Sequence, residues 1–260
     1  MTSRGCPFAC DFCSRPVFGN EFRTRTASNV ADEIEEVHSL GYERVWFADD
    51  CFTLKRKRLL GICDELIKRR LKIGWECLSR VDTLDLEVAA KMKKTGCLRI
   101  FFGIESGNNS ILALMEKQIT TKQADEAVRL CKRNGIKAGA FFILGYPGEN
   151  DKTILDTVRF ASSLPLDYLS FTLPYPIPGT PLFERLSDKM ISDEWKEPKS
   201  LQLVKHKLLF CSHLSESKLR FAIMKGMIQF HIRKYLGNRC YKSMGAHFEL
   251  FTDAVYRLMR

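Results

Sequence analysis

The chain predicts an α/β fold, a parallel sheet with helices packed on it, and two observations carry that prediction. Candidate strands and candidate helices alternate at intervals of roughly thirty residues, the spacing of βαβ units. The strand candidates are short apolar runs rich in β-branched and aromatic residues, as buried strands are. Right-handed crossovers would curl such a sheet toward an open barrel, although periodicity alone does not separate that from a doubly wound sheet.

A cysteine-bearing loop opens the chain. Ser28 then reads as a helix N-cap with Asp32 and Glu33 in the first turn, and Val30, Ile34 and Val37 follow at helical spacing up to Gly41. Residues 44–48 read as a buried strand ending at Asp49 and Asp50. Residues 55–70 return to a helical period through Leu59, Ile62, Leu66 and Ile67. A strand at 73–78, a helix at 86–95 closed by Gly96 and a strand at 98–105 come next. The helix at 121–134 turns Ala124, Ala127, Val128 and Cys131 inward and stops at Gly135. A strand at 138–144, a helix at 152–163 and a strand at 168–173 complete the alternation. The expected division is an alternating domain over residues 1–186, a polar linker over 187–200 and a helical extension over 201–260. In the extension Leu219, Ile223, Met227 and Phe230 share one face.

Composition narrows the class. Hydrophobic residues at 45% and charged residues at 28% are ordinary for a globular protein, and 260 residues suffice for one large α/β domain. Ten cysteines, with no signal peptide and irregular spacing outside the first loop, read as reduced thiols of a cytoplasmic protein. No apolar run reaches the length of a membrane span. Lys plus Arg exceed Asp plus Glu by 41 to 31, for a net charge of +10. That charge is dispersed over helix faces, so it reads first as solvated surface and second as the footprint of an anionic partner such as RNA.

The chemistry is concentrated in Ser3-Arg4-Gly5-Cys6-Pro7-Phe8-Ala9-Cys10-Asp11-Phe12-Cys13. Three thiolates at this spacing can hold three irons of a 4Fe-4S cluster and leave the fourth open, whereas a structural zinc site closes itself with four protein ligands. A trio of buried thiols or a partial zinc knuckle is the plainer alternative. Later segments weigh against it: Asp49-Asp50-Cys51-Phe52-Thr53, Gly103-Ile104-Glu105-Ser106-Gly107, Gly145-Tyr146-Pro147-Gly148-Glu149 and Pro176-Ile177-Pro178-Gly179-Thr180-Pro181-Leu182, each at or just after the end of a candidate strand.

Together these segments resemble the radical S-adenosylmethionine (radical SAM) superfamily over about two thirds of the chain. The cysteine loop, Phe22 to Thr26 and the Asp-Asp-Cys-Phe-Thr segment are most similar to its cobalamin-linked branch of magnesium-protoporphyrin ester cyclases and methyltransferases. The resemblance implies a partial (βα)6 barrel with a C-terminal helical extension. Only Met1 and Thr2 precede the loop, so the first barrel strand is expected to be largely missing and the chain to be truncated. Cys6, Cys10 and Cys13 are implied as cluster ligands. Asp49 and Asp50 are implied at the SAM ammonium, Glu105 and Ser106 at the ribose and methionine, Lys117 at the carboxylate, and Ile143, Leu144 and Gly145 beside the adenine. No residue is singled out as the catalyst acting on substrate.

By that resemblance the protein is an enzyme that cleaves SAM reductively to a 5′-deoxyadenosyl radical for hydrogen abstraction, in cobalamin-linked methylation or cyclisation. The implied cofactors are a 4Fe-4S cluster and SAM. Cobalamin is a further candidate for which these residues contain no binding domain, its domain being either lost or encoded elsewhere as a separate cobalamin-binding protein. An electron donor of flavodoxin or ferredoxin type completes the partners, with a small-molecule substrate favoured over RNA. An RNA-modifying radical SAM enzyme and a truncated, non-catalytic metal-binding protein remain as alternatives.

Overall fold

Sheet order follows chain order. In the computed structural model, which describes residues 1–14, 21–191, 207–240 and 246–259, five parallel strands lie side by side as β3 (Arg44–Phe47), β4 (Gly74–Ser79), β5 (Cys97–Glu105), β6 (Lys137–Ile143) and β7 (Tyr168–Thr172). A helix precedes or links each: α1 (Ala27–Ser39), α2 (Arg56–Lys68), α3 (Leu86–Lys94), α4 (Asn109–Leu114) and α5 (Thr121–Arg133), and α6 (Asp151–Ser163). Two short strands, β1 (Ser3–Arg4) and β2 (Arg23–Thr24), form a separate antiparallel ladder. Among the described residues no strand before β3 joins the five-stranded sheet.

One face of the sheet packs on helices. Trp75, Cys77, Ile100, Phe102, Ala140, Phe142 and Phe171 are buried in a single core with Ile62 and Leu66 of α2, Met92 of α3, Val128 of α5 and Val158 of α6. The other face is concave. Adjacent strands lie ~4.8 Å apart, yet the rings of Trp46 and Phe101 meet at 5.3 Å across the intervening β4. Phe101 and Tyr168 likewise meet at 5.5 Å across β6. Gly139 makes room for this aromatic floor, because a Cβ there would stand 2.5 Å from the Phe101 ring. The sheet curls as a barrel does and is not closed.

Local chemistry explains the helix ends. Thr26, not Ser28, caps α1 by accepting from Asn29 N, and no acidic residue lies in its first turn. Thr120 with Gln123, and Asn150 with Thr153, form capping boxes on α5 and α6. A short α7 (Pro181–Leu186) starts on a proline behind the Thr180 cap.

Residues 192–206, which hold most of the expected linker and the start of the expected extension, lie outside the described residues. After an antiparallel bridge between Met190 and Phe210, α8 (Glu216–Cys240) packs on α6 and β7, and α9 (Ala246–Leu258) packs on α8. Leu219 and Phe230 are buried as expected, and Ile223 and Met227 pack partly buried against the core. The buried stripe also carries Lys225 and Gln229. Lys225 pairs with Asp253 of α9, whose carboxylate also takes Arg159 of α6.

Candidate functional site

The site residues gather at the carboxyl ends of the strands, where parallel α/β folds collect ligands. Gly5, at φ +82°, turns the chain out of β1 into the cysteine loop. Cys6, Cys10 and Cys13 are each half-buried and none is in a disulfide. A turn, Cys13 N to Cys10 O at 3.2 Å, joins the last two. Phe8 lies 3.5 Å from the guanidinium of Arg80, which follows β4. Arg80 is itself fixed by two 2.9 Å bonds to Asp82 and a 3.0 Å bond to the carbonyl of Lys117.

Lys117 and Glu105 form a buried ion pair at 2.9 Å. Its geometry is built by the backbone. Glu105 takes a left-handed φ of +70° at a register shift in β5, and its carboxylate folds back over Gly103, where a Cβ would stand 2.4 Å from Oε1. The neighbours of Lys117, Glu116 and Gln118, also sit at φ +50° and +55°. Left-handed non-glycine residues cost on the order of 1 kcal/mol each, and such strain collects where a side chain must be presented. Burial pulls the Lys117 ammonium down, but Glu105 and Cys10 outweigh it and leave the group above its ordinary value.

The remaining expected residues divide. Asp49 is fully buried, and its carboxylate accepts from Thr2 N and Oγ1 and from Ser3 N, so it faces the chain's own β1. Asp50, next in sequence, is exposed. Ser106 is buried against α6, its hydroxyl bonded to Thr157 Oγ1 at 3.0 Å and to Asn108 N at 3.1 Å. Ile143 and Leu144 are buried, and Gly145 adopts φ +89° with Leu219 of α8 behind it, 2.5 Å from where a Cβ would be. Only Gly fits there on both counts.

Glu149 closes the Gly145 loop: one carboxylate oxygen accepts from Gly145 N at 2.7 Å and Tyr146 N at 2.9 Å. Its other oxygen is buried without a partner among the described residues. Burial therefore pushes the carboxyl up to about 8 despite those two donors. A raised folded-state value means that its contribution to stability is complete in acid and is lost as the pH rises toward 8. In paired urea titrations, Glu149→Gln should gain on the parent chain by up to about 1.4 kcal/mol per pH unit between roughly pH 5 and 8. A pH-independent difference would count against a buried, protonated carboxyl.

Asp11, between Cys10 and Cys13, was not among the expected site residues. It is 2% exposed and accepts from the hydroxyl of Tyr146 and, at 2.7 Å, from Arg185 of α7. No local pattern marks it, since its partners lie 135 and 174 residues away.

The donor set fits an iron-sulfur cluster. Burial raises the Cys10 thiol, while Lys117 and Arg80 act against the rise; these cations stand where an anionic, thiolate-bound cluster would need them.

Comparison with known proteins agrees with this geometry. Residues 1–161 match the radical SAM superfamily. The chain is 35% identical over 237 residues to the uncharacterized methyltransferase PH0819 of Pyrococcus horikoshii, covering 90% of this chain and 51% of that protein. It is 31% identical over 251 residues to the anaerobic magnesium-protoporphyrin IX monomethyl ester cyclase of Cereibacter sphaeroides, covering 94% of this chain and 40% of that one. The chain thus spans about half the length, or less, of these relatives. Among solved structures, the radical SAM methyltransferase TsrM of Kitasatospora setae, with cobalamin and a [4Fe-4S] cluster bound, superposes with a TM-score of 0.68 at 23% identity, over 72% of this chain and 36% of that one. The cobalamin-dependent SAM radical enzyme OxsB gives 0.68 at 19% identity, over 98% and 46%. At those identities the structural likeness speaks for the fold. With a match over more than half its length and a cysteine loop set at the strand ends of a curled parallel sheet, the chain belongs to the radical SAM superfamily, whose cofactors are a 4Fe-4S cluster and SAM.

Proposed function

We propose that this chain is the catalytic barrel of a radical SAM enzyme acting on a small molecule, with Cys6, Cys10 and Cys13 as cluster ligands. The observation that carries this reading is the meeting of the three-thiol loop with a buried Glu105–Lys117 pair at the mouth of a concave sheet. When bound, the cluster and SAM supply the reductive cleavage that yields a 5′-deoxyadenosyl radical. The protein's share is to hold and orient. Lys117 would meet the SAM carboxylate, and Glu105 and the exposed Asp50 would accept from its ammonium and ribose. Ile143 and Leu144 would wall the adenine, and Gly145 would let its backbone approach. Asp49 would keep β1, and with it the start of the loop, in place, and Ser106 would brace the turn after β5. An electron donor of flavodoxin or ferredoxin type would reduce the cluster. Methylation or cyclisation is the chemistry that the relatives' names suggest, and the cobalamin bound by TsrM and OxsB makes cobalamin the further cofactor to test.

Anaerobically reconstituted protein should carry one 4Fe-4S cluster and, once reduced with dithionite, release 5′-deoxyadenosine from SAM. Each of Cys6→Ala, Cys10→Ala and Cys13→Ala should abolish both the broad visible absorbance and that product. Equal iron content in the triple variant would refute the ligand assignment. Cluster and SAM binding without product would leave a non-catalytic metal protein.

A further inference from the structure

We propose that Asp11 is a positioning residue that latches the cysteine loop across the barrel mouth, so that the loop holds its seat before any cluster is bound. The proposal rests on the assignment of Cys6, Cys10 and Cys13 made above. Three separate segments, the loop after β6, the turn after α4 and α7, converge on this one residue. Its carboxylate takes the Tyr146 hydroxyl from the loop after β6 and Arg185 Nη2 from α7 at 2.7 Å. Arg185 Nη2 also stands 2.7 Å from the Tyr146 hydroxyl, closing the triangle. Its amide donates to Met115 O at 3.2 Å, just before the strained turn that presents Lys117, and its carbonyl accepts from Leu182 N at 3.0 Å.

The arrangement has a cost that argues for a purpose. Both donors share Oδ2, and Oδ1 is buried with no partner among the described residues. Such a group is kept only where the bonds it does make are worth more than its desolvation. Charge-assisted bonds to Arg are the strong kind. They fall here on the residue that follows one thiol and precedes another by two, while Arg80 beneath Phe8 secures the other half of the loop. A loop clamped at Phe8 and at Asp11 can neither swing Cys10 away from Lys117 nor slide along the sheet edge.

Amide hydrogen exchange on cluster-free protein tests the latch without any cofactor. Asp11→Ala and Arg185→Ala should each speed exchange at Asp11, Cys13 and Leu182 by about tenfold or more relative to the amides of α5. The double variant should go no faster than Asp11→Ala alone, because the two act through one contact. Asp253→Ala, which weakens the fold through α8 and α9, should speed loop and α5 alike and so shows what a merely structural role looks like. In reconstituted protein, the latch variants should lose iron to a chelator about tenfold faster and broaden the electron paramagnetic resonance signal of the reduced cluster. Should Asp11→Ala not fold, Arg185→Ala, whose side chain is half-exposed, decides the matter. Parent-like loop exchange would overturn the latch, even if the cysteines bind a cluster. Faster loop exchange in a protein that binds no iron through those cysteines would uphold the latch and defeat the cluster assignment instead.

Discussion

Lys117→Ala is expected to cost about 3–5 kcal/mol of folding stability, because it leaves the Glu105 carboxylate buried and unpaired. Against a typical net stability of roughly 5–15 kcal/mol, that is a large share. Affinity for SAM should fall by about 10- to 100-fold, the worth of one charge-assisted hydrogen bond. Stability and binding can be told apart with a second variant. Glu105→Gln combined with Lys117→Met removes both charges, so it should regain most of the stability and none of the affinity. Urea titration of the cluster-free protein and equilibrium dialysis of the reconstituted protein give the two readings. A double variant that binds SAM like the parent would confine the pair to a structural role.

Asp253→Ala is the second large effect expected. Lys225 is 1% exposed and pairs with Asp253 from α9. Its ammonium would lose its ion-pair partner, with Glu249 the remaining attractive charge, at about 3 kcal/mol. Arg159 keeps Glu249 at 2.5 Å and reaches solvent, so it adds little to the loss. Lys225→Met with Asp253→Leu should recover most of it, because well-packed apolar residues often replace a buried pair without penalty. The damage should also reach the mouth of the barrel, since Leu219 on the same helix backs the Gly145 turn. A loss below about 1 kcal/mol in the single variant would mean that Glu249 or water compensates Lys225 in the folded protein.

The sheet was legible in the sequence because parallel strands buried between helices must be apolar and rich in β-formers, and residues 44–48, 73–78, 98–105, 138–144 and 168–173 are so. Each matches an observed strand to within a residue or two. The cysteine triad stood out in the sequence because three thiols at such short spacing suggest shared ligation. What stayed hidden depends on distant partners or on very short elements. The six-residue helices α4 and α7 span less than two turns and show no period. Ser28 is the better cap residue by type, but the observed turn places the cap at Thr26. The stripe on α8 read as apolar, since nothing local to Lys225 reveals that Asp253 waits to receive it. The seat of Asp49 against Thr2 and Ser3 spans 46 and 47 residues, and so left no mark in the local sequence.

The monotonic strand order sets a timetable for maturation. Each βα unit lays its strand beside the one just made, so the sheet can grow stepwise as the chain leaves the ribosome. The cysteine loop cannot follow that schedule. It emerges first, but its anchors Tyr146 and Arg185 are translated 135 and 174 residues later. Until then Asp49 and Arg80 are the anchors that can hold it, at Thr2, Ser3 and Phe8. By the latch proposed above, the Asp11 side of the loop can seat only once α7 has been made, and a chain stopped before α7 should keep that side unseated, however well its strands had formed.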